Sequence, residues 1–258
     1  MLLAINIGNT NISGAIFAND CGKNSNKIVK RFDMPARAYS KARLAKKLKN
    51  SFKISDTLIC SVVPKLTKVL QHDLKLLTGK RPYIIGKEVR VPIKNLYRNP
   101  SQLGQDRLVN AYSACAFYSA PLVVIDSGTA ITFDVVSKNK AYLGGLIVPG
   151  MEISLKALGE KTALLPFIKL RVPKGIIARD TKNSILSGIV FGTAALCKEL
   201  IIRIKKYIGK NALVLGTGGN IPLIKRYSGI KIKIDKDLTL KGINLIYINE
   251  IKNPARLI

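Results

Sequence analysis

Histidine and paired cysteines are nearly absent from this chain. Its 258 residues include one histidine, His72, and four cysteines, Cys21, Cys60, Cys115 and Cys197, which are far apart and form no C-x-x-C pair. We therefore expect neither a disulfide framework nor a thiolate zinc site, and we interpret the cysteines as reduced buried thiols. His72 lies in a lysine-rich stretch with helical spacing, so we interpret it as an exposed helix residue rather than a catalytic base.

Acidic residues are also scarce. Fifteen Asp and Glu stand against 43 Lys and Arg, which gives a formal net charge of +28. A charge of this size suggests nucleic-acid binding. However, the lysines are spread over nearly every segment, and the sequence has neither an arginine-rich arm nor a basic patch interleaved with aromatic residues. We therefore expect nonspecific polyanion binding at low salt but no specific nucleic-acid partner.

Long apolar runs are missing as well. The apolar segments are short and are broken by charged residues or glycine, so we expect no transmembrane helix and no membrane partner. The first residues are apolar but lack the basic segment that opens a signal peptide, and they read as a buried strand. We accordingly predict a cytoplasmic protein.

One turn occurs twice in the sequence, at residues 2–11 and 122–130. In each copy an apolar run stops at Asn6 or Asp126, turns on a glycine and continues through a hydroxyl residue into a second apolar stretch. A hairpin of this kind presents backbone N–H groups and a short polar side chain to a phosphate or to its metal ion. The repeat therefore predicts two similar half-molecules that face each other across a nucleotide.

The remaining periodicity predicts strands and helices in both halves. Predicted strands are 2–7, 12–17, 28–33, 58–63, 83–85, 122–126, 129–136, 141–148 and 212–215. Predicted helices are 41–52, 66–77, 108–115, a segment after 150, 181–207 and a short segment after 219. We also expect a helix over 238–248, although its β-branched content leaves this assignment open. This order predicts an α/β protein with duplicated architecture and a boundary near residue 118, hence domains 1–118 and 119–258.

Three aspartates are candidates for chemistry, and each has an ordinary structural alternative. Asp106 follows Gly104 at a predicted helix N-terminus, where a carboxylate is often only a cap or a first-turn residue. Asp126 ends an apolar strand and is either a turn residue or a ligand. Asp134 lies in an alternating strand, where it would simply face solvent.

Two glycine-rich segments also have two interpretations. Residues 216–219 lie between a predicted strand and a predicted helix, as in a nucleotide platform, but their spacing matches neither a Walker loop nor a full Rossmann fingerprint. They form either a nucleotide platform or an ordinary turn. Residues 144–150 indicate either close packing or the wall of an active site.

Taken together and in order, these motifs resemble the type III pantothenate kinases, a family within the superfamily of acetate and sugar kinases, actin and the heat-shock chaperone ATPases. The resemblance runs over nearly the whole chain. The segments that carry it are 7–11, 60–64, 97–107, 126–134, 144–145, 149–150, Thr181 and 187–188.

The resemblance implies a fold, an activity and a set of partners. It implies two ribonuclease-H-like (actin-like) domains with mixed sheets flanked by helices and the nucleotide in the cleft between them. It implies phosphorylation of pantothenate to 4′-phosphopantothenate by ATP with Mg²⁺, the first step of coenzyme A biosynthesis. A monovalent cation, K⁺ or NH₄⁺, is implied, as is a homodimer that binds its substrate near the dimer interface.

The resemblance also implies roles for individual residues. Asp106 is the expected catalytic base, Asp126 the ligand of the monovalent cation and Thr129 a second ATP contact. The expected first phosphate loop, which would grip ATP and its Mg²⁺, consists of Asn6, Ile7, Gly8, Asn9, Thr10, Asn11, Ile12 and Ser13. The expected pantothenate contacts are Tyr97, Gly104, Gln105, Asp106, Arg107 and Thr181.

Position 6 departs from the family pattern, because relatives usually carry aspartate where this chain has Asn6. Asparagine keeps an acceptor oxygen but removes a negative charge beside a divalent ion. Losing one such contact costs roughly 10²–10³ in rate. Three alternatives follow: a slower kinase, a site compensated by another carboxylate, or a degenerate nucleotide-binding homologue that acts as a non-catalytic regulator. A different small-molecule kinase of the superfamily is a further alternative, which the context of residues 104–107 disfavours.

Overall fold

The computed structural model describes residues 1–18, 26–49 and 53–253, which form two compact units. Unit 1 comprises Met1–Ile93, Asn99–Ala116 and the segment from Asp237 onward. Unit 2 comprises Lys94–Arg98 and Phe117–Lys236. Two residues discussed above, Cys21 and Phe52 at the end of the first predicted helix, lie outside the described residues.

Strands and helices alternate along the chain much as the periodicity predicts. The strands are β1 Leu2–Ile7, β2 Asn11–Phe17, β3 Ile28–Pro35, β4 Asp56–Ser61, β5 Tyr83–Ile84, β6 Leu122–Ser127, β7 Ala130–Val136, β8 Tyr142–Pro149, β9 Leu213–Thr217 and β10 Lys233–Ile234. The α-helices are α1 Lys41–Leu48, α2 Pro64–Thr78, α3 Gln105–Phe117, α4 Met151–Lys161, α5 Thr181–Ile208, α6 Ile221–Ser228 and α7 Leu238–Ile246.

The two units contain sheets of the same topology, which confirms the duplicated α/β architecture. The first sheet has the order β3-β2-β1-β4-β5, and the second, read in the matching direction, has the order β8-β7-β6-β9-β10. In each sheet the central strand pairs antiparallel with the strand that follows it and parallel with the strand that returns after a helix. The sheets are therefore mixed, and β6 to β10 correspond one by one to β1 to β5.

Local signals explain where the elements end, and α2 is an example. Pro64 occupies the first turn, where its missing N–H costs nothing. Leu70 and Leu74 are buried on one side of this amphipathic helix. Gly79 ends it in the left-handed conformation at φ 77°, and its N–H donates to the Lys75 carbonyl at 2.9 Å. His72, on this helix, is exposed as expected.

The C-terminal helix α7 belongs to unit 1, although the sequence-based boundary placed this segment in the second domain. Its apolar side chains join the core that also contains Leu2 of β1 and Val109 of α3. Ser113 Oγ of α3 donates a hydrogen bond of 2.7 Å to the Leu238 carbonyl. The predicted boundary differs here because α7 finds its apolar partner in the first sheet, and a linear scan of the sequence does not show such a partner.

Helix α5 is, by length and composition alone, apolar enough to cross a membrane, which the sequence analysis did not anticipate. In the structure, Leu186, Val190 and Ile201 of this helix pack in the core of unit 2 with Val123 and Phe133. We therefore interpret α5 as a core helix of unit 2.

The contact between α7 and α3 predicts a large effect of a small substitution. A methyl group at Gly242 would lie 2.8 Å from both Cγ1 and the carbonyl oxygen of Val109, so the two helices would have to separate. We expect Gly242→Ala to lower the free energy of unfolding by about 1–3 kcal/mol, despite the better helix propensity of alanine. Denaturant unfolding measures this.

The matched control is Gly219→Ala, because an added Cβ there meets no atom within 4 Å. We expect its effect to stay within about 0.5 kcal/mol. Equal effects of the two substitutions would contradict the packing argument.

Candidate functional site

The first predicted phosphate loop begins with a polar residue at the end of a buried strand. Asn6 of β1 is paired with Ser13 of β2 and with Cys60 of β4. Residues paired directly across strands present their side chains on the same face of the sheet. Asn6 Oδ1 is buried and has no hydrogen-bond partner among the described residues. Because buried acceptors are rarely left unpaired, this oxygen is suited to a ligand that brings a donor.

The turn itself is closed and tethered. The Gly8 N–H donates to the Asn11 carbonyl at 2.9 Å, and the Ala36 N–H, just beyond β3, donates to the Thr10 carbonyl at 2.8 Å. Asn9, Thr10 and Asn11 are exposed at its tip. These contacts fix the backbone of the turn and leave its polar residues at the surface.

Two residues of the predicted loop cannot offer their side chains. Ile7 and Ile12 are fully buried in a core of unit 1, where they pack with Phe32 and Leu70. Any contact that these two positions make with a phosphate therefore comes from the backbone. Their side chains instead hold the hairpin in register.

Asp106 lies in the first turn of α3, as expected, in a space that a glycine leaves open. Its Oδ1 accepts a hydrogen bond of 2.9 Å from the Arg107 N–H. A Cβ at Gly104 would lie 2.6 Å from the same Oδ1, so a side chain there would displace the carboxylate. Burial raises the pKa of Asp106, and the Arg107 N–H and guanidinium oppose this rise. The result is a carboxylate with increased proton affinity, as a general base requires.

The structure brings Asp106 and the phosphate loop to the same part of unit 1. The pKa of the Cys60 thiol is raised well above its usual value, mainly by burial and further by the negative charge of Asp106. Cys60 is thus close enough to Asp106 to sense its charge, and it is the direct strand partner of Asn6. The thiol itself stays protonated and unreactive.

The neighbours of Asp106 are held firmly. Arg107 is buried, with 7% of its surface exposed. The Gln105 side chain packs on Gly86, where a Cβ would lie 2.7 Å from Gln105 Cδ and where φ is +85°. The segment 104–107 therefore presents its polar groups from a rigid support.

The second turn, in unit 2, is enclosed by both glycine segments. A Cβ at Gly218, where φ is +87°, would lie 2.6 Å from Asp126 Oδ1. The Gly150 N–H donates to the Thr129 carbonyl at 3.2 Å, and a side chain at Gly150 would collide with the backbone there. Both segments thus pack closely against the turn that carries Asp126 and Thr129. Ser127 Oγ is buried and has no partner within the described part of the chain.

Asp134 does not face solvent, which corrects the sequence-based interpretation. It is fully buried, and its Oδ1 accepts a hydrogen bond of 3.0 Å from the hydroxyl of Tyr142 on β8. Thr132 Oγ1 lies 3.4 Å from the other oxygen. Alternation along one strand could not reveal this, because the donor that allows burial of the carboxylate comes from the neighbouring strand.

Tyr142 also supports the predicted substrate residue Tyr97. The two rings lie 6.4 Å apart between centroids, and a Cβ at Gly144 would lie 3.8 Å from Tyr97 Cδ2. The backbone of Tyr142 accepts from the Leu96 N–H at 2.9 Å and donates to the Lys94 carbonyl at 2.8 Å. Sequence reasoning missed this support, since no local pattern joins position 142 to 94–98.

Thr181 lies at a different point of unit 2. It is exposed at the first position of α5, directly after the helix cap Asp180. Asp180 Oδ1 accepts from the Asn183 N–H at 2.9 Å, and hydrogen bonds from Asn183 lower the pKa of Asp180. Within the described ranges, no hydrogen bond or ring contact joins Thr181 to Tyr97.

A resident metal held by protein side chains alone has no support here. Among residues 1–18, 26–49 and 53–253, no group of three or more His, Cys, Asp or Glu side chains could hold one. The unpartnered Asn6 Oδ1 instead fits a metal that arrives with its own phosphate and water ligands, such as Mg²⁺ bound to a nucleotide.

Comparison with known proteins places these features in a family. Residues 2–203 match the sequence profile of the family described as type III pantothenate kinase. A type III pantothenate kinase from Agathobacter rectalis is 37% identical over 251 residues, which cover 96% of this chain and 96% of the relative.

Solved structures with lower identity share the fold. A conserved Baf family protein from Campylobacter jejuni, described as a transcriptional activator, superposes with a TM-score of 0.62 at 21% identity, over 97% of this chain and 99% of that one. An activator of 2-hydroxyisocaproyl-CoA dehydratase from Clostridium difficile, solved with bound ADPNP, superposes with a TM-score of 0.52 at 13% identity, over 100% and 97%. At such identities these likenesses establish the fold alone.

The raised pKa of Asp106 predicts a pH-dependent stability difference. Because the folded state binds this proton more tightly than the unfolded state, ionised Asp106 destabilises the fold above its ordinary pKa of 3.8 and has no such effect when protonated. We expect Asp106→Asn to raise the free energy of unfolding at neutral pH, with a gain that shrinks as the pH is lowered from about 7 to about 4. Denaturant unfolding at several pH values measures it. A variant that is less stable at pH 7, or a gain that grows with acid, would contradict the assignment.

Proposed function

The chain belongs to the type III pantothenate kinase family, and we propose that Asp106 is the base that activates the hydroxyl of pantothenate. The protein is a kinase that transfers the γ-phosphoryl group of ATP to pantothenate and so forms 4′-phosphopantothenate for coenzyme A biosynthesis. The observation that carries the proposal is the half-buried Asp106 carboxylate, held by the Arg107 N–H in the space left by Gly104.

The reaction needs little covalent help from the protein. The primary hydroxyl oxygen of pantothenate attacks the γ-phosphorus, the bond to the β-phosphate oxygen breaks, and ADP leaves. Asp106 accepts the hydroxyl proton, and its raised pKa increases its strength as a base. The Arg107 guanidinium binds the carboxylate of pantothenate through charge-assisted hydrogen bonds. Tyr97, Gly104, Gln105 and Thr181 complete the proposed substrate contacts.

The first turn is the proposed binding element for the phosphates of MgATP. The N–H groups and exposed polar residues of positions 8–11 bind phosphate oxygens, and the backbone of Ile7 and Ile12 holds them in place. Asn6 Oδ1 accepts a hydrogen bond from water bound to Mg²⁺. The support for this role is that the oxygen is buried and has no partner among the described residues.

The second turn is the proposed site for the monovalent cation and for a further ATP contact. Asp126 binds K⁺ or NH₄⁺, and Thr129 binds ATP. The support is a carboxylate and a buried, unpartnered hydroxyl of Ser127 in one turn that two glycines enclose. Oxygen ligands of this kind suit hard cations.

We further propose a homodimer through the exposed face of α5 and β8, here called the α5 groove. It is lined by Val148, Pro149, Ser154, Gly188, Ile189, Gly192, Thr193 and Leu196. Ile147 and Ile153 beside it are exposed, at 63% and 42%. A contiguous apolar surface of this kind is typical of a protein interface. Cys60, Cys115 and Cys197 form no disulfide among the described residues, which supports a reducing, cytoplasmic location.

A non-catalytic regulator has no support in the comparisons with curated relatives. The likeness to the Campylobacter jejuni protein establishes a shared fold alone. A regulator also has no physical need for a buried carboxylate that lowers the stability of its own fold.

The base assignment is tested by turnover. We expect Asp106→Asn to lower the formation of 4′-phosphopantothenate by roughly 10²–10⁴-fold, because the amide cannot accept the proton. Purified protein is assayed with ATP, Mg²⁺ and K⁺ at moderate salt, and folding is confirmed by circular dichroism. Glu199→Gln is the matched control, since Glu199 forms an exposed ion pair with Arg203 at 2.8 Å in unit 2. Turnover of Asp106→Asn close to that of the control would contradict the assignment of Asp106 as the base.

The dimer proposal is tested by a charge in the α5 groove. We expect Leu196→Glu to convert the dimer to a monomer, because dimerisation would bury an unpaired carboxylate. Sedimentation or light scattering measures the mass. Tyr207→Glu is the control, because Tyr207 lies 84% exposed at the end of the same helix and outside the groove. A monomeric wild type, or equal masses for both variants, would contradict the proposal.

A further inference from the structure

Asn6 stands in a row of side chains that crosses four strands of the first sheet. The register pairs Cys60 with Asn6, Asn6 with Ser13, and Ser13 with Asp33 of β3. Directly paired residues share a face, so all four side chains lie on the same side of the sheet. The Ser13 hydroxyl confirms this for the last pair, because it donates to Asp33 Oδ1 at 2.6 Å. A carboxylate thus lies on the same face as Asn6, with one hydroxyl residue between them.

Asp33 lies beside the phosphate turn as well as beside Ser13. Its strand ends at Pro35, which pairs with Asn11 of the turn, and the next N–H donates to the Thr10 carbonyl at 2.8 Å. The Asp33 side chain is 47% exposed. A ligand bound at the turn would therefore meet the negative potential of Asp33 without burial of that charge.

Asp33 shares its cationic partner with a second carboxylate. Arg31 Nη1 lies 2.7 Å from Asp33 Oδ2, and Arg31 Nε lies 2.7 Å from Asp237 Oδ1. One guanidinium thus serves two carboxylates. The other oxygen, Asp33 Oδ1, accepts the hydrogen bond from Ser13.

The second sheet provides an internal comparison. The equivalent row there pairs Thr217 with Asp126, Asp126 with Thr132, and Thr132 with Ile147. In the second sheet the turn carries Asp126, and the outer position of the row, on β8, is Ile147. In the first sheet the turn carries Asn6, and the outer position of the row, on β3, is Asp33. The two rows thus carry their carboxylate at different positions, at the turn in the second sheet and at the outer position in the first.

We propose that Asp33 supplies the negative charge absent from Asn6 and acts through Ser13 on the Mg²⁺ of the bound nucleotide. This inference rests on the proposed function, since it requires MgATP at the first turn. Asp33 is a positioning residue: it accepts the hydrogen bond that the Ser13 hydroxyl donates, which leaves the lone pairs of Ser13 Oγ to accept from water on the ion.

The spacing suits an outer-sphere role. Strands two apart lie about 10 Å from each other, which is too far for direct ligation by both positions of one ion. Hydrated Mg²⁺ keeps several of its waters, so hydrogen bonds that those waters would donate to Asn6 Oδ1 and Ser13 Oγ would reach across the gap. The distance is close to the Debye length of about 8–10 Å, so screening reduces the effect of the charge on the ion without abolishing it.

The test measures binding of a non-hydrolysable ATP analogue to the full-length protein over a series of free Mg²⁺ concentrations. We expect Asp33→Asn to raise the half-saturating Mg²⁺ concentration by about threefold to tenfold and to leave binding without Mg²⁺ unchanged. Glu199→Gln is the matched control for loss of one carboxylate, and we expect the wild-type midpoint for it.

Two further variants separate charge from structure. Arg31→Gln breaks the ion pair but keeps the carboxylate, so the Mg²⁺ midpoint should stay the same or fall. The double variant Asn6→Asp with Asp33→Asn places the carboxylate at position 6 and removes it from position 33. Its half-saturating Mg²⁺ concentration should return to within about threefold of wild type. A rise in Arg31→Gln equal to that in Asp33→Asn would overturn the proposal, because the effect would then be structural.

The single variant Asn6→Asp keeps the test decisive even if Asp33→Asn fails to fold. Since Asp33 already supplies the charge, a second carboxylate should lower the Mg²⁺ midpoint by less than about threefold. A drop on the order of a hundredfold would show that the charge was still missing and would overturn the inference. A wild type that binds the analogue with no Mg²⁺ dependence would overturn the proposed MgATP site as well. If the wild type depends on Mg²⁺ and Asp33→Asn has the same half-saturating Mg²⁺ concentration, the inference about Asp33 is overturned and the proposed MgATP site is not.

Discussion

The register of β1 against its two neighbours is the constraint on which the rest of unit 1 depends. β1 is buried on both faces: Leu2 and Ala4 point into one core, and Leu3, Ile5 and Ile7 into the other. A slip of one residue would exchange the two sets and carry Asn6 to the opposite face. Since both cores are close-packed, no such slip is tolerated. The same two-sided burial fixes β6 and therefore Asp126.

Much of this fold could be predicted from the sequence, because its signals are local. The apolar runs that stop at Asn6 and Asp126, and the Gly79 stop of α2, are set by residues next to each other in the chain. The sheet against which α7 packs could not be predicted, because the apolar face of a helix does not identify the sheet that it covers. Asp134 was misinterpreted for the same reason, since the hydroxyl of Tyr142 that pairs with it comes from another strand. The roles of individual site residues still rest on the family pattern.

Asp106 illustrates why a site residue is hard to recognise from sequence. At a helix N-terminus, a carboxylate ordinarily caps and stabilises. Here the backbone N–H of Arg107 does bind it, yet burial dominates and raises its pKa, so the charged group costs stability. Gly104 adds to that cost, because a glycine loses more backbone entropy on folding than other residues. Two unfavourable contributions to folding stability, from the partial burial of Asp106 and from Gly104, are typical of a position kept for chemistry rather than for folding.

The net charge of +28 makes Mg²⁺ binding at the first turn less favourable than the loss of one carboxylate at position 6 alone would. A positive surface attracts the phosphates of a nucleotide from a distance, but the same potential repels Mg²⁺. Screening limits both effects to about 8–10 Å at physiological salt. Within that range, the surrounding lysines attract the nucleotide and repel the metal ion. Only a negative group within that range of the turn can offset the repulsion. In the first sheet, Asp33 meets this condition on the face that carries Asn6, and Arg31 divides its positive charge between Asp33 and Asp237. The local arrangement, rather than the net charge, therefore determines how well the first turn holds the ion.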